Sequence, residues 1–366
     1  MAKSTSSDTT AQGLLKLIDA CDNFPYSPSS DYTTTVSSYW LFALLDDWTA
    51  ECTRLNTHGY MLGSVVEGMP WTGYFNIDRS NKIISIPFCA DKSESEILAE
   101  QSHLAREQKA FRILADWRDE LLPVLGVKKR AVELERKATG LFGIATRGVH
   151  CTAYLWASGE PKLIIARRAA TKSTYPGMLD NTIAGAQSSM ESPWLAYIRE
   201  GEEETGLPPS ITSRAVAVSS VSYIHTRDAR AGIGEAGLFQ PESQYCYDLE
   251  LHEGIEAEQP RVHDDEVFGF ETMTIQQTWD CLMADEFKPN CGLVLIDFFI
   301  RWGFLRPGRD HWMIQTKENV PQPKKGWEVS AEDYTEIVSR LHRKLVFEPV
   351  ETRLLGSSSS SSSRSS

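Results

Sequence analysis

The sequence lacks a hydrophobic run long enough to cross a bilayer. The longest apolar stretch, CGLVLIDFFIRWG at 291–303, is interrupted by Asp297 and Arg301. It is also shorter than the roughly 20 residues that a membrane-spanning helix needs. Residues 1–25 contain no long apolar segment of the kind found in secretory signals. These absences predict a protein that is neither inserted in a membrane nor secreted, and we expect no membrane partner.

Positive charge is scarce relative to negative charge. The chain has 37 Lys and Arg residues against 50 Asp and Glu residues, which gives a formal net charge of −13. A surface that binds nucleic acid needs a basic patch to neutralise the phosphates, so the composition argues against a nucleic-acid partner. A small phosphate compound stays compatible with it, because a few local cations and a metal ion can neutralise one ligand.

Cysteine pairs of the metal-binding or redox type are missing as well. The seven cysteines form no C-x-x-C pair. An odd number without such a pair is typical of a reducing compartment and argues against a zinc site. We therefore predict a cytoplasmic location.

The order of predicted elements suggests four segments. We predict a flexible N-terminus at 1–10, an N-terminal α+β extension domain at 11–138, a second domain at 139–350 and a disordered tail at 351–366. The tail assignment rests on the low-complexity run GSSSSSSSRSS. In the N-terminal extension, apolar spacing predicts helices at 13–21, 39–55 and 103–126 and a strand at 82–88.

The second domain has a mixed order of strands and helices. Strands are predicted at 143–157 and 162–168, then a loop and a helix, then strands at 213–226 and 243–251, and finally helices at 274–284, 287–303 and 330–345. For the helix at 287–303, Asn290 is the predicted N-cap and Gly303 the residue just past the end. Because regular strand–helix alternation is absent, this order indicates a mixed α/β sandwich of the α+β type.

The segment SPWLAYIREGEEETGLPP at 192–209 is the most informative part of the sequence. Ser192 and Pro193 predict a helix start, and Gly206 predicts its end, so we expect one helix over about 193–205. Helical spacing places Glu200, Glu203 and Glu204 on one face. We expect the opposite face to pack into the core, and it carries Trp194, Leu195 and Ile198.

Three carboxylates at this spacing repel one another unless a cation neutralises them. Hard oxygen ligands suit Mg²⁺, so the face predicts a site for Mg²⁺ or Mn²⁺. The alternative is a solvated acidic helix face, which is common in helices rich in glutamate.

The residues around this helix follow a longer pattern. Gly185 is followed after five residues by Glu191, and after seven more by Arg199-Glu200-x-x-Glu203-Glu204-x-Gly206-Leu207. This spacing resembles the Nudix box. The sequence departs from it at Gly201, where an aliphatic residue is expected, and at Ala186, where a second glycine is usual.

A narrower resemblance covers most of the chain. The segments GIATRGVHCTAYLW, ARRAATKSTYPGMLDNTIAGA, YDLEL, FKPNC and DFFIRWG are similar to those of Nudix proteins related to thiamine pyrophosphokinase, found in fungi and plants. That family carries an N-terminal extension. The resemblance implies an α/β/α sandwich with a mixed sheet, preceded by a smaller α+β domain.

The resemblance also implies chemistry. In Nudix proteins the box glutamates bind a divalent metal ion and serve catalysis, so Glu200, Glu203 and Glu204 receive both roles jointly. The carbonyl of Gly185 is the expected fourth ligand. Three further residues shape the motif: Glu191, Arg199 and Gly206. The implied activity is hydrolysis of thiamine diphosphate, or of its oxidised derivatives, to the monophosphate and phosphate.

Some residues outside the box are weaker candidates. Arg167, Arg168 and Lys172 precede it and could clamp phosphate, although surface charge explains them equally well. Asp265 and Glu266 in VHDDEVFGFE could supply a distal acid or could belong to a solvated loop. His150 lies in a strand and is expected to be packed or hydrogen-bonded.

Two other functions stay open. The same box could serve a pyrophosphatase for nucleoside diphosphates linked to another moiety, such as ADP-ribose or a dinucleotide. It could also belong to a catalytically silent binding module, for which Gly201 and Ala186 are the support. We expect Gly201 to be a tolerated defect of the helix. The expected partner is a small diphosphate compound, and the pattern does not specify an oligomeric state.

Overall fold

A computed structural model gives the fold, and it describes residues 4–157, 159–232, 234–308 and 326–359. The helices in these ranges are α1 Ser4–Asp19, α2 Ser30–Ser38, α3 Gly63–Gly68, α4 Glu94–Glu107, α5 Thr139–Phe142, α6 Pro193–Thr205, α7 Pro209–Thr212, α8 Ile275–Met283, α9 Pro289–Arg301, α10 Ala331–Leu341 and α11 Val350–Ser359. The strands are β1 Trp40–Leu45, β2 Leu55–Met61, β3 Asn76–Asp78, β4 Ile83–Ser85, β5 Leu121–Pro123, β6 Glu133–Glu135, β7 Thr146–Ala157, β8 Glu160–Arg168, β9 Leu179–Asp180, β10 Ile183–Ala186, β11 Val216–Thr226, β12 Phe239–Leu251, β13 Val267–Thr274, β14 Leu305–Pro307 and β15 Trp327–Val329.

A seven-stranded mixed sheet forms the centre of the second half of the chain. Its strand order is β11-β12-β7-β8-β13, with β10 paired to β7 and β9 paired to β8. Strands β7 and β12 run parallel, and the other pairs are antiparallel. The sheet is therefore mixed, as the element order predicts.

Helices cover both faces of this sheet. Alternate residues of a strand point to opposite faces, and β8 shows the consequence. Ile164 packs with Tyr197 of α6 on one face. Leu163 and Ile165 pack on the other face with a cluster that includes residues of α1, α8, α9 and α10. The fold is an α/β/α sandwich with a mixed sheet, which confirms the predicted fold class.

The N-terminal region contains its own smaller sheet. Four strands pair in the order β2-β1-β4-β3, and β5 and β6 form a separate antiparallel hairpin. Helix α1, in contrast, packs through Ala11, Leu14 and Ile18 into the same apolar cluster as α9. An α+β region thus precedes the sandwich, while the predicted domain boundaries remain predictions.

The helix predicted at 39–55 is wrong. Residues Trp40–Leu45 form β1, which lies between β2 and β4 and is buried along its whole length. A strand buried on both faces reads as an unbroken apolar run, and periodicity does not distinguish such a run from a buried helix.

The helix predicted at 103–126 is only partly correct. Helix α4 begins earlier, after a capping box formed by Ser93 and Glu96, and it ends at Glu107. Lys109 has a left-handed φ of 52°, which the helix cannot continue through. A short 3-10 helix and β5 occupy the rest of that segment.

The start of α9 differs from the predicted N-cap, and its end agrees with the prediction. The N-cap is Lys288, with Pro289 in the first helical position, so Asn290 is not the cap. Proline fits this position because it has no amide hydrogen to leave unpaired. Gly303, just past the end, has a φ of 70°, as expected of a residue that terminates a helix.

Helix α11 extends to Ser359 and so enters the segment predicted to be disordered. Residues 1–3 and 360–366 lie outside the described residues, and mobility of either end remains a prediction. No helix in the described ranges has the length and apolar character needed to cross a membrane.

Candidate active site

Helix α6 begins and ends as its sequence predicts. The side chain of Ser192 accepts a hydrogen bond from the amide of Leu195 at 3.2 Å, and Pro193 occupies the first position. Gly206 ends the helix with a φ of 65° and donates its amide hydrogen to the carbonyl of Glu202. These contacts fix the register in which the box glutamates are presented.

The predicted burial of the two faces of α6 is wrong for Trp194 and Leu195, whereas Ile198 is partly buried and packs against the core as predicted. Trp194 and Leu195 are exposed, whereas Glu200 and Glu204 are each only 8% exposed. The side that packs on the sheet carries Ala196 and Tyr197, and Tyr197 stacks on Tyr247 of β12 with ring centroids 4.5 Å apart. Glu200 and Glu204 therefore lie at the edge of the packed side, against β10, and not on a solvated face.

Strand β10 brings the box glycine to the glutamates. An added Cβ at Gly185 would overlap the carboxylate of Glu200, so only glycine leaves room for that side chain. Glu204 accepts a hydrogen bond from the amide of Ala184 at 2.9 Å. Glu203 is different, because 54% of its side chain is exposed.

Arg199 connects the loop and the helix of the box. Its Nε and Nη2 donate to the two oxygens of Glu191 at 2.9 and 3.0 Å. Its Nη1 lies 3.0 Å from both Glu200 Oε1 and Glu203 Oε2. The predicted orienting role of Arg199 has this geometric basis, and the role itself remains a proposal.

Burial sets the charge state of the two inner glutamates. Desolvation raises the pKa of Glu200 to about 7, against the opposing effect of Arg199 and Arg136. Burial also raises the pKa of Glu204 well above its usual range, and the nearby charges of Glu200 and Asp180 raise it further. Two buried carboxylates this close are unfavourable as a pair of anions.

The donor chemistry of these residues suits a divalent metal ion, although in the structure the ligand atoms of the three carboxylates do not all lie within 4.8 Å of one another. The donor set consists of oxygen atoms, namely the carboxylates of Glu200, Glu203 and Glu204 and the backbone carbonyl of Gly185, and hard cations prefer such donors. A cation would also relieve the repulsion between Glu200 and Glu204. Metal binding at these residues is the interpretation that best explains two buried, poorly neutralised carboxylates.

A cavity of about 160 Å³ opens beside Glu200 and Gly185. Eight cationic side chains line it against four carboxylates, although the protein as a whole is acidic. Three carboxylates outside the lining, Asp116, Glu120 and Asp180, neutralise part of this positive charge, and the small excess that remains favours an anionic ligand. The cations are Arg118, Arg136, Lys137, Arg147, Arg168, Lys172, Arg227 and Lys288, and the carboxylates are Glu200, Glu235, Glu242 and Glu266.

The weaker sequence candidates divide between the cavity and other surfaces. Arg168, Lys172 and Glu266 line the cavity, and Lys172 Nζ forms an ion pair with Glu266 Oε2 at 2.5 Å. Arg167 pairs instead with Glu271 at 3.0 Å and is not among the lining residues. Asp265 is exposed and also lies outside the lining. Strand alternation explains why Arg167 and Arg168, the last two residues of β8, separate in this way.

A buried group of potential metal ligands lies near the cavity. Candidate ligand atoms of His150, Asp180 and Cys291 lie within 4.8 Å of one another. Their polar atoms are already paired: Cys291 donates to Asp180 Oδ1 at 2.7 Å, and Arg168 holds the other oxygen. Burial raises the pKa of the Cys291 thiol, which disfavours the thiolate that a metal needs. His150 contacts Asn181 at 2.8 Å, as expected of a packed histidine.

Gly201 is closely packed. A Cβ at this position would lie 3.0 Å from the Thr212 side chain and 3.2 Å from that of Ile183. Neighbouring side chains thus fill the space that an aliphatic residue would use. The expectation of a tolerated defect does not fit this packing, and Gly201 is better described as the residue that lets α6 approach α7 and β10.

Sequence reasoning missed the cations that come from the N-terminal region. Arg118, Arg136 and Lys137 line the cavity, and they precede β7 in the chain. The segment ELERKATG around Arg136 carries no recognisable motif. Only the fold brings these residues to the box.

Comparisons with known proteins find relatives of part of the chain. Residues 146–291 match the NUDIX domain model. The chain is 36% identical to an uncharacterized protein of Saccharomyces cerevisiae, YJR142W, over 63% of this chain and 62% of the other. It is 38% identical to the Arabidopsis thaliana protein Nudix hydrolase 20, chloroplastic, over 53% of this chain and 50% of the other. The chain thus spans between half and two thirds of the length of these curated relatives.

A solved structure also resembles part of the chain. The crystal structure of DR0079 from Deinococcus radiodurans aligns with 48% of this chain and 98% of its own, at 21% identity and a TM-score of 0.36.

Proposed function

We propose that this chain, whose residues 146–291 are a Nudix domain, hydrolyses a diphosphate bond with the help of a divalent metal ion. The observation that carries the proposal is the cavity, where the box residues Gly185 and Glu200 lie beside an excess of cations. An anion with two phosphates suits both the box residues and the cations, since a metal ion held by the box and the cations of the wall can share its charge.

Each part of the box has a role in this proposal. Glu200, Glu203, Glu204 and the Gly185 carbonyl hold Mg²⁺ or Mn²⁺, which when bound neutralises phosphate charge and acidifies water. One of these carboxylates accepts a proton from the attacking water. The water oxygen bonds to phosphorus as the bond to the bridging oxygen breaks, and the leaving phosphate takes up the charge. Arg199 and Glu191 keep the loop and the helix in register.

The cavity wall contributes binding. Arg168 is held by Asp180 at 2.7 Å and by the carbonyls of Thr174 and Tyr175, which makes it a rigid positive group. Lys172 and Glu266 form an adjacent pair that an incoming phosphate can separate. Glu266 is then available as a distal acid. Arg167 and Asp265 have no part in the proposal, because neither lines the cavity.

The substrate we propose is thiamine diphosphate or an oxidised derivative, with the monophosphate and phosphate as products. This assignment rests on the resemblance to the Nudix proteins related to thiamine pyrophosphokinase. The alternatives are ADP-ribose or dinucleotide hydrolysis and a silent binding module. The two departures from the box do not favour the silent module, because Gly201 is closely packed and the carbonyl of Ala186 accepts a hydrogen bond from Arg199 at 3.2 Å.

The proposal includes a cytoplasmic location and no nucleic-acid or membrane partner. All seven cysteines are free thiols in the structure, which is consistent with a reducing compartment.

A panel of diphosphates tests the activity. The purified chain is incubated with thiamine diphosphate, oxidised thiamine diphosphate, ADP-ribose and diadenosine tetraphosphate, in Mg²⁺, Mn²⁺ or EDTA. We expect thiamine diphosphate or its oxidised derivative to release the monophosphate and phosphate, and we expect EDTA to abolish this release. If ADP-ribose is the only compound that is hydrolysed, and AMP is released, ADP-ribose would replace thiamine diphosphate as the proposed substrate. Binding without turnover of any compound would support the silent module.

A further inference from the structure

The hairpin β5–β6 of the N-terminal region contacts the loop of the box. The amide of Ser189 donates to the carbonyl of Leu121 at 2.8 Å, and Ser188 Oγ donates to Glu120 Oε1 at 2.8 Å. Ser189 Oγ also donates to Glu133 of β6. Ser188 and Ser189 lie between Gly185 and Glu191, so the hairpin braces the loop that connects the box glycine to the box helix.

Glu120 holds a cation as well as the loop. Its second oxygen, Oε2, accepts from Arg136 Nη1 at 2.7 Å, and its backbone carbonyl accepts from the Arg136 amide at 2.8 Å. One carboxylate therefore couples the position of Arg136 to the position of Ser188. Arg136 is fixed relative to the box even though it lies outside residues 146–291.

Arg118 and Arg136 both keep donors without a hydrogen-bond partner in the described part of the chain, but the unpartnered Nε of Arg118 is buried, whereas 41% of the Arg136 side chain is accessible. Lys137 pairs with Asp116 at 2.8 Å and with Glu235 at 2.9 Å. Arg118 contacts Asp116 at 3.1 Å and Glu266 at 3.6 Å.

The remaining donors of Arg136 belong to a side chain that lines the cavity. In the described part of the chain no acceptor is hydrogen-bonded to its Nε or Nη2, and 41% of its side chain is accessible. It lines the cavity with Gly185 and Glu200, and its charge acts on the carboxylates of Glu200 and Glu266. A planar guanidinium with unused donors beside the proposed metal-binding residues matches a phosphate oxygen.

We propose that Arg136 binds a phosphate of the substrate, and that Glu120 is its positioning residue. The ligand is the diphosphate group itself, so the site is completed by a residue from outside the Nudix domain. The inference rests on the proposed function for the identity of the substrate.

The experiment compares the wild-type chain with Arg136→Met, Arg136→Lys and Glu120→Gln. Arg79→Met is the matched control, because Arg79 belongs to the same region, pairs with Glu67 on the surface and lies outside the cavity lining. Turnover is measured with the best substrate of the panel. Calorimetry measures binding of Mg²⁺ alone and of imidodiphosphate, an analogue whose bridging nitrogen resists hydrolysis.

We expect Arg136→Met to lower kcat/KM and imidodiphosphate affinity by about 10- to 100-fold, the usual loss for a charged hydrogen bond. Mg²⁺ affinity should be unchanged or higher, since a cation has been removed. Arg136→Lys should restore part of the affinity, because it keeps the charge without the planar fork. Glu120→Gln should raise KM more than it lowers kcat. Arg79→Met should match the wild type.

Several results would overturn the inference. An active Arg136→Met protein with wild-type kcat/KM would do so, as would loss of Mg²⁺ and imidodiphosphate binding together, which would indicate disruption of the box. If Arg136→Met does not fold, Arg136→Lys decides, and a wild-type affinity for imidodiphosphate in that variant contradicts a contact that needs the guanidinium of Arg136. A wild-type chain that binds imidodiphosphate through Arg136 but hydrolyses nothing would refute the proposed function alone.

Discussion

Two walls of the cavity are stabilised in different ways. The box wall, formed by β10 and α6, keeps its contacts within one short stretch of chain, and Arg199 reaches three carboxylates there. The N-terminal wall, formed by the β5–β6 hairpin and Arg136, depends on contacts between residues far apart in sequence, such as Glu120 and Ser188. The first wall, here called the acidic wall, presents carboxylates to the cavity, and the second, here called the basic wall, presents Arg118, Arg136 and Lys137.

The difference separates two tasks of one site. The acidic wall brings carboxylates together at a cost in repulsion and desolvation, which a bound cation can offset. The basic wall keeps cations partly unpaired, and a bound anion can satisfy them. Changes to the acidic wall should therefore act mainly through the metal ion, and changes to the basic wall mainly through the substrate.

The largest expected effect comes from the acidic wall. We expect Glu203→Gln and Glu204→Gln each to lower turnover by about 10²- to 10³-fold while the protein stays folded, because each removes a charge that the metal ion needs. Steady-state kinetics over a range of Mg²⁺ concentrations measures the effect. Glu202→Gln is the control, since Glu202 is an exposed neighbour outside the box pattern. Wild-type turnover in either test variant would remove that residue from the proposed role.

A second change acts on the same wall through the backbone. Gly185→Ala would push the carboxylate of Glu200 from its place, because the new Cβ overlaps it. We expect a loss of roughly 10²-fold in kcat, the order expected when a reacting group is displaced by about 1 Å. Ala186→Gly, one position along the strand, should leave turnover within a factor of about two. Equal losses in both variants would mean that β10 itself had been disturbed.

The third prediction concerns pH and metal. The pKa of Glu200 in the folded protein, about 7, lies above its ordinary value of 4.5. Between those values the folded state binds more protons than the unfolded state, so this group's contribution to the free energy of unfolding falls as pH rises.

Mg²⁺ competes with those protons. Thermal melts should therefore show a larger increase in melting temperature on adding Mg²⁺ at pH 8 than at pH 5.5. Glu204→Gln should reduce the increase, and Arg79→Met should not. An increase that is the same at both pH values would show that the inner glutamates do not bind the ion.

The smallest effect is expected at Gly201. Alanine is the better helix former by roughly 0.5–1 kcal/mol, but its Cβ would press on Thr212 and Ile183. Overpacking typically costs about 1–3 kcal/mol, so we expect Gly201→Ala to lower the free energy of unfolding by about 1 kcal/mol. Urea denaturation measures it. The paired change Gly201→Ala with Thr212→Ser should recover part of the loss, and a stabilised single variant would contradict close packing.

The two walls also differ in how well the sequence predicts them. The helix α6, its caps and its glutamates were predictable because their signals lie within a few residues of one another. Its buried side was predicted only in part, because Trp194 and Leu195 are apolar yet exposed, although Trp194 contacts Tyr247 of the sheet with ring centroids 5.8 Å apart. The strand β1 was misread because an unbroken apolar run has no usable period.

The basic wall left no local signal at all. Arg136 and Glu120 belong to no sequence motif. Their position beside the box depends on the pairing of β5 with β6 and on the contact of this hairpin with Ser188 and Ser189. The same limit applies to Arg167 and Arg168. Adjacent in sequence, they were equal candidates, and their different surroundings depend on which side of β8 each residue faces.

The packing of α1 has a consequence for how the protein is made. This helix is synthesised well before its apolar partners in α9, because α1 ends at Asp19 and α9 begins at Pro289. At roughly 5–20 residues per second, Leu14 and Ile18 stay uncovered for on the order of tens of seconds. During that interval the apolar side of α1 depends on contacts other than those with α9 to stay out of water.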